Sequence, residues 1–184
     1  MKVLLLSIGL ALVCAIQAVA DVSDKPISFE KLAGPWHTIL LATNDKEMIK
    51  EDEKMKLLFK TVTPQNTKEL IITMLKKENH ECTEYNLVIK QTEEPNKFQD
   101  CKCLNDNEKD IIIFVDSDYL NYFLVVFQNY NEELDREDTV VQCLSRTFDL
   151  TTEAEEKFNK VLKDYNISEE NVINLNNEKD KGNY

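Results

Sequence analysis

Along most of this chain apolar and polar residues alternate in short runs rather than recurring at helical spacing. Eight such runs are expected as strands: Trp36–Ala42, Leu57–Val62, Leu70–Leu75, Glu84–Ile89, Phe98–Cys103, Ile111–Val115, Tyr122–Phe127 and Thr139–Leu144. They are rich in Val, Ile, Phe, Thr and Tyr, which suit a pleated, half-buried surface. Turn-forming clusters separate them, among them Glu94–Lys97, Asn105–Asn107 and Asn131–Asp138. No helical spacers stand between the runs, so parallel β-α-β arrangements are excluded and a sheet of antiparallel hairpins is expected. Eight strands of this length hide their edges either as a sandwich or as a closed barrel, and periodicity does not choose between them.

The period changes at both ends of this region. Ile27–Leu32 reads as a short helical turn that stops at Gly34-Pro35. After Thr151, the residues Ala154, Phe158, Val161, Leu162 and Tyr165 recur on one helical face, and Thr152-Glu153-Ala154-Glu155 reads as a capping box. One amphipathic helix following eight strands must bury that face against the outside of the sheet. Asn171–Leu175 looks like a further short strand, and the tail beyond Glu178 is polar.

Lys2, the apolar run Val3–Ile16 and the small residues of Ala18-Val19-Ala20 form a secretory signal with cleavage expected after Ala20. The run is shorter than the roughly 20 apolar residues of a membrane span, so membrane insertion is not expected. The remainder, residues 21–184, is expected as a single domain. The 184 residues carry 22 Lys+Arg against 34 Asp+Glu, a net charge of −12, and loss of Lys2 makes the balance more negative. Such a surface repels phosphate backbones and anionic lipid, so nucleic-acid and membrane-surface roles are poor fits. With Cys14 lost, Cys82, Cys101, Cys103 and Cys143 remain, and these four allow three complete pairings that the sequence does not rank. His37 and His80 have no metal-ligand spacing with them, so no metal or cofactor is expected.

Three separated signals carry a resemblance. Gly34-Pro35-Trp36 opens the first run, Ser117-Asp118-Tyr119 lies between the sixth and seventh, and Arg146 follows the eighth. In this order they resemble the three structurally required regions of the lipocalin family. Nearest in character are the urinary, salivary and milk lipocalins that carry pheromones and odorants. Glu30–Ile39, Glu81–Glu84 and Asn171–Leu175 are similar to segments of that group. The resemblance implies an all-β fold: an eight-stranded antiparallel up-and-down barrel (about 34–146) with one C-terminal α-helix (about 152–165) packed outside it and a closing strand at about 171–175. It gives Gly34, Trp36, Asp118, Tyr119 and Arg146 structural roles. Trp36 would plug the closed end, its indole covered by the Arg146 guanidinium in a cation–π contact.

The resemblance also implies a ligand-binding set pointing inward: Leu57, Phe59 and Val62; Ile72 and Met74; Leu87; Ile112 and Phe114; Val125 and Phe127; Val140, Gln142 and Leu144. Their period-2 spacing agrees with one face of each strand. Plain core packing is the competing reading of each. Gln142 stands out because an amide facing an apolar hollow needs a partner, which a ligand hydroxyl or carbonyl, or a trapped water, would supply. In the fifth run either Phe98, Asp100 and Lys102 point inward or Gln99, Cys101 and Cys103 do. In the resembled group the cysteine at the position of Cys82 bonds one near the C-terminus, and here about Lys181 stands there. If the fourth and fifth runs form a hairpin, Cys103, ahead of Cys101, is nearest to Cys82, so Cys82–Cys103 is the expected bridge, with Cys143 left without an assigned partner.

The function implied is that of a secreted, extracellular, non-enzymatic carrier of a small apolar ligand: pheromone, odorant, phenolic or lipid-like. Two alternatives stand beside it. Some lipocalins isomerise lipid peroxides through a cysteine in the barrel, a part Cys101 or Cys103 could play. A secreted interaction or immunomodulatory protein with an incidental pocket is the other. Homodimerisation is left open, and Asn166-Ile167-Ser168 is a sequon that would accept a glycan at Asn166.

Overall fold

The computed structural model describes residues 26–49, 57–78, 81–101, 110–132 and 134–176; the leader Met1–Ala20, Lys102 and Cys103 lie outside these. In chain order the elements are α1 (Phe29–Leu32), β1 (Gly34–Pro35), β2 (His37–Thr43), β3 (Leu57–Pro64), β4 (Glu69–Glu78), β5 (Glu81–Gln91), β6 (Lys97–Asp100), β7 (Ile111–Ser117), β8 (Phe123–Asn131), β9 (Arg136–Ser145), α2 (Thr152–Asp164) and β10 (Val172–Asn174). All the strands belong to one antiparallel sheet in the order β1-β3-β4-β5-β6-β7-β8-β9-β2-β10.

Strands are present at all eight expected runs; a two-residue strand, β1, precedes the first, which begins at His37 rather than Trp36, and the fifth ends at Asp100 with Cys101 already in a turn. Gly34 faces Val62 across β1 and β3, whereas His37 faces Ser145 across β2 and β9. Residues 34–43 therefore touch both ends of the sheet and close it into a barrel, which removes the exposed edges a flat sheet would leave. The short β10 pairs outside β2, with Ile173 facing Leu41. The β4–β5 hairpin reaches Glu78 and Glu81, past the expected ends at Leu75 and Glu84. Ladder bonds continue where the apolar pattern has stopped, so hydropathy marks only the buried middle of a strand.

The barrel wall has two buried faces over β7, β8 and β9. One set points inward with Trp36; the other, including Ile113, Val115, Leu124, Val126, Val141 and Cys143, packs against Ala154, Phe158, Val161 and Leu162 of α2. Double burial explains why these strands read as near-continuous apolar runs. Each large side chain of α2 contributes roughly 1.5–3 kcal/mol by leaving water. The helix cap differs from expectation. Thr151, extended at φ −81°, accepts the Ala154 N–H at 3.2 Å, so the cap is Thr151 rather than Thr152, and with Ala154 at the third helical position it is a single N-cap bond and not a capping box. Burial of Ala154 and Phe158 sets the helix register and leaves Thr151 at the turn. At the other end the Asn166 N–H reaches the Lys163 carbonyl, and the Ile167 N–H reaches that of Leu162. With Asn166 at φ 54° this is a Schellman ending, and it leaves Asn166 exposed.

The closed end is built around Trp36, which is fully buried. Its indole N–H donates to the Leu32 carbonyl at 2.8 Å, and the Arg146 guanidinium lies 3.9 Å from its ring centroid. The same guanidinium donates to the carbonyls of Lys31, Ala33 and Pro35, each at 2.9 Å, and to that of Tyr119 at 3.3 Å. Tyr119 is held at φ 67° by the preceding turn. There one Asp118 oxygen accepts the N–H groups of Leu120, Asn121 and Tyr122. Partial burial would raise the Asp118 carboxyl, but these donors and the Asn121 amide outweigh it and hold its pKa below the usual aspartate value.

Gly34 is required twice over. Its φ is +102°, and a Cβ there would stand 3.2 Å from an Arg146 guanidinium nitrogen. Gly34→Ala is expected to cost about 1–3 kcal/mol of unfolding free energy, read from urea denaturation. A loss within experimental error would mean that the closed end does not need this conformation.

Candidate functional site

Above the Trp36 end, the inward side chains divide into two layers. In the lower layer the interior is solid with rings. Phe114 stands edge-on to Phe123 at 4.8 Å between centroids and lies 4.3 Å from Phe98. Phe123 also meets Trp36 at 5.6 Å and Phe59 at 6.3 Å. Val62, Ile72, Val125 and Leu144 fill the gaps among them. Six members of the expected ligand set, Phe59, Val62, Ile72, Phe114, Val125 and Leu144, thus point inward as expected but sit in packed core rather than on the cavity. Alternation distinguishes inside from outside. It carries no information on depth along the barrel.

The upper layer is hollow. A cavity of about 420 Å³ is lined by Leu57 of β3, Met74 of β4, Leu87 of β5, Ile112 of β7, Phe127 of β8, and Val140 and Gln142 of β9, all from the expected set. Its remaining lining lies outside that set: Met48, Asp100, Asp110, Ile111, Gln128, Asn129 and Asp138, of which Asp100 belongs to one of the two alternatives left open for the fifth run. Met48 comes from a 3-10 turn at Lys46–Ile49; Asp100, Asp110, Asn129 and Asp138 keep the inward phase of Phe98, Ile112, Phe127 and Val140, whereas Ile111 and Gln128 stand out of it. Asp100 answers the open question over the fifth run, since Phe98 is buried in the interior and Asp100 lines the cavity while Gln99 is exposed. Among the described residues lining the cavity there is no Lys or Arg.

Gln142 differs from expectation. Its amide is 1% exposed, yet its partners are protein groups rather than a ligand or water. The Thr38 hydroxyl donates to Oε1 at 2.8 Å, and Nε2 donates to the Leu57 carbonyl at 2.8 Å. Thr38 in turn accepts the Phe59 N–H at 2.9 Å. This network ties β2 to β3, two strands with no backbone register between them, at the seam where the barrel closes. Bulges at Thr38/Leu40 and at Phe59/Thr61 flank it. Periodicity could not reveal Thr38 as the partner, because 104 residues separate it from Gln142.

The described thiols offer little nucleophilic chemistry. Cys143 faces α2, outside the hollow, and burial pushes its pKa up to about 12. Cys101 is also unpaired and its pKa is raised, first by burial and then by the charges of Glu69 and Asp100. The expected Cys82–Cys103 bridge lies outside the described residues. Among the described residues, no group of His, Cys, Asp and Glu could hold a metal ion.

A closed antiparallel barrel, stoppered at one end and hollow at the other, belongs to the class built to enclose one small molecule. Residues 33–179 match the model of the lipocalin / cytosolic fatty-acid binding protein family, and the chain belongs to that family. Among its relatives, "Lipocalin Can f 6.0101" of Canis lupus familiaris is 30% identical over 175 residues, covering 95% of this chain and 89% of that protein. "Major allergen Equ c 1" of Equus caballus is 31% identical over 176 residues, covering 95% of this chain and 91% of that protein. Among solved structures, "Odorant Binding Protein OBP1" has a TM-score of 0.72 at 19% identity, covering 87% of this chain and 99% of that one. The possum milk whey lipocalin trichosurin, solved with bound 4-ethylphenol, has a TM-score of 0.67 at 23% identity, covering 78% of this chain and 96% of that one.

The placement of Cys143 is checked by alkylation and peptide mapping. In native protein at mildly alkaline pH, Cys143 is expected to react only on the timescale of unfolding, because its thiolate is disfavoured and shielded. Labelling as fast as in denatured protein would place that thiol outside the helix–barrel interface.

Proposed function

We propose that this protein is a secreted carrier that holds one small, mainly apolar molecule in the hollow half of its barrel. The observation that carries the reading is the division of the interior. Phe98, Phe114 and Phe123 fill one half, whereas Leu57, Met74, Leu87, Ile112, Phe127 and Val140 surround about 420 Å³ of open space. A hollow of that size accommodates a ligand the size of a small odorant or phenol. Burial of its apolar surface contributes about 25 cal/mol per Å², enough for micromolar affinity with few hydrogen bonds. Relatives whose names record odorant binding and a bound 4-ethylphenol support the same class of ligand. The leader-like Met1–Ala20 segment and a relative named for urine support export, and the exposed Asn166 is suited to carry a glycan. The raised thiol pKa of Cys101 weighs against that residue as the nucleophile of the lipid-isomerase alternative, whose other candidate, Cys103, lies outside the described residues.

The test uses protein collected from secreting cells, whose intact mass should show a chain beginning at Asp21, with or without a glycan at Asn166. Titration with a fluorescent apolar probe is expected to saturate at one site per chain with micromolar Kd. Leu87→Trp, which fills part of the hollow from a half-buried position, is expected to weaken binding about tenfold or more, a loss of about 1.4 kcal/mol. Absence of saturable binding, or a Leu87→Trp affinity equal to wild type, would contradict the proposal.

A further inference from the structure

The Gln142 amide offers the cavity a hydrogen bond of defined polarity. Its orientation is set by two independent partners. The Leu57 carbonyl can only accept, so Nε2 must face it. The Thr38 hydroxyl accepts from the Phe59 N–H and spends its single hydrogen on Oε1, so the oxygen must lie on that side. Turning the amide over would set two carbonyl oxygens against each other and leave the Thr38 hydrogen facing an NH₂ group.

With the orientation fixed, the remaining valences can be counted. A primary amide has two N–H donors and two acceptor sites on oxygen. Leu57 takes one donor and Thr38 one acceptor site. One N–H and one oxygen lone pair remain on a side chain that lines the hollow. The two are not equivalent, because a buried orphan N–H is rarer and more costly than a carbonyl with one lone pair unused. The site therefore gains more from a ligand that accepts a hydrogen bond than from one that only donates. The charge of the lining narrows the class further. Among the described residues that line the hollow there is no Lys or Arg, while Asp100, Asp110 and Asp138 contribute to it, Asp138 ion-paired with Arg136, so a ligand carboxylate finds no cationic partner among them.

Resting on the carrier reading, we infer that Gln142 is a specificity-determining residue whose free Nε2 hydrogen selects neutral ligands with a hydrogen-bond acceptor on an apolar body: ketones, aldehydes, esters or lactones. Fatty-acid anions are disfavoured.

The experiment is a displacement cycle with two isosteric competitors, a straight-chain methyl ketone and the alkene in which a methylidene group replaces the carbonyl oxygen. Both are measured on wild type and on Gln142→Met, because the two differ in solvation and only the change between proteins isolates the amide. The ketone's affinity relative to the alkene is expected to fall about five- to tenfold in the variant. Binding of both with an unchanged ratio would overturn the inference while leaving the carrier reading intact; displacement by neither would overturn both. Infrared spectroscopy of the ketone bound to wild type keeps the test valid if Gln142→Met does not fold. A carbonyl stretch shifted below its value in hydrocarbon supports the donated hydrogen bond, and the hydrocarbon value overturns it. The matching fatty-acid anion should be the weakest competitor of the three, and tighter binding than the ketone would overturn the assigned class.

Discussion

The guanidinium of Arg146 resting on the indole of Trp36 is the contact on which the rest of the molecule depends. It joins the residue after β9 to the break between β1 and β2. Its N–H groups also gather carbonyls from the α1 region, from Pro35 and from Tyr119. Three segments far apart in sequence thereby end at one point. A planar five-donor group can do this, and a lysine ammonium, with three donors and no flat face, cannot. The left-handed Gly34 and the Asp118 turn that presents the Tyr119 carbonyl follow from the need to bring backbone oxygens to that plane.

From that seal the interior develops in one direction. Rings contacting Trp36 and one another leave no room near the closed end, and packing relaxes only where β2 and β3 part company. The Gln142–Thr38 network spans the seam at this level, so Gln142, which helps hold the barrel shut, also forms part of the cavity wall. Stability and recognition are joined in that network. A polar group is tolerable there because its amide has protein partners on both its atoms, with one N–H to spare.

Much of this was legible in the pattern of residues. The strand runs, the helical face from Ala154 to Leu162 and the closing segment at Val172 appear where hydropathy put them, because burial on a sheet or helix leaves a fixed period. The Gly34, Trp36 and Arg146 constellation was legible through resemblance, since no local pattern says that residues over a hundred positions apart will stack. Three features escaped for identifiable reasons. Phe59 and Phe114 share the inward phase of Leu57 and Ile112, yet one pair packs and the other surrounds space, a distinction set by position along the barrel axis. Thr38 gave no sign of partnering Gln142, because the contact crosses a seam without a ladder. Thr151 and Thr152 are chemically equal as helix caps, and only the burial of Ala154 and Phe158 decides between them.

Trp36 is the single tryptophan of the chain, so its fluorescence reports directly on the seal. Native protein is expected to show blue-shifted emission that acrylamide barely quenches, with Arg146→Ala moving both toward the behaviour of a solvated indole. Ready quenching and red-shifted emission in the native protein would contradict a barrel stoppered by Trp36 beneath Arg146, and with it the account of where the cavity lies.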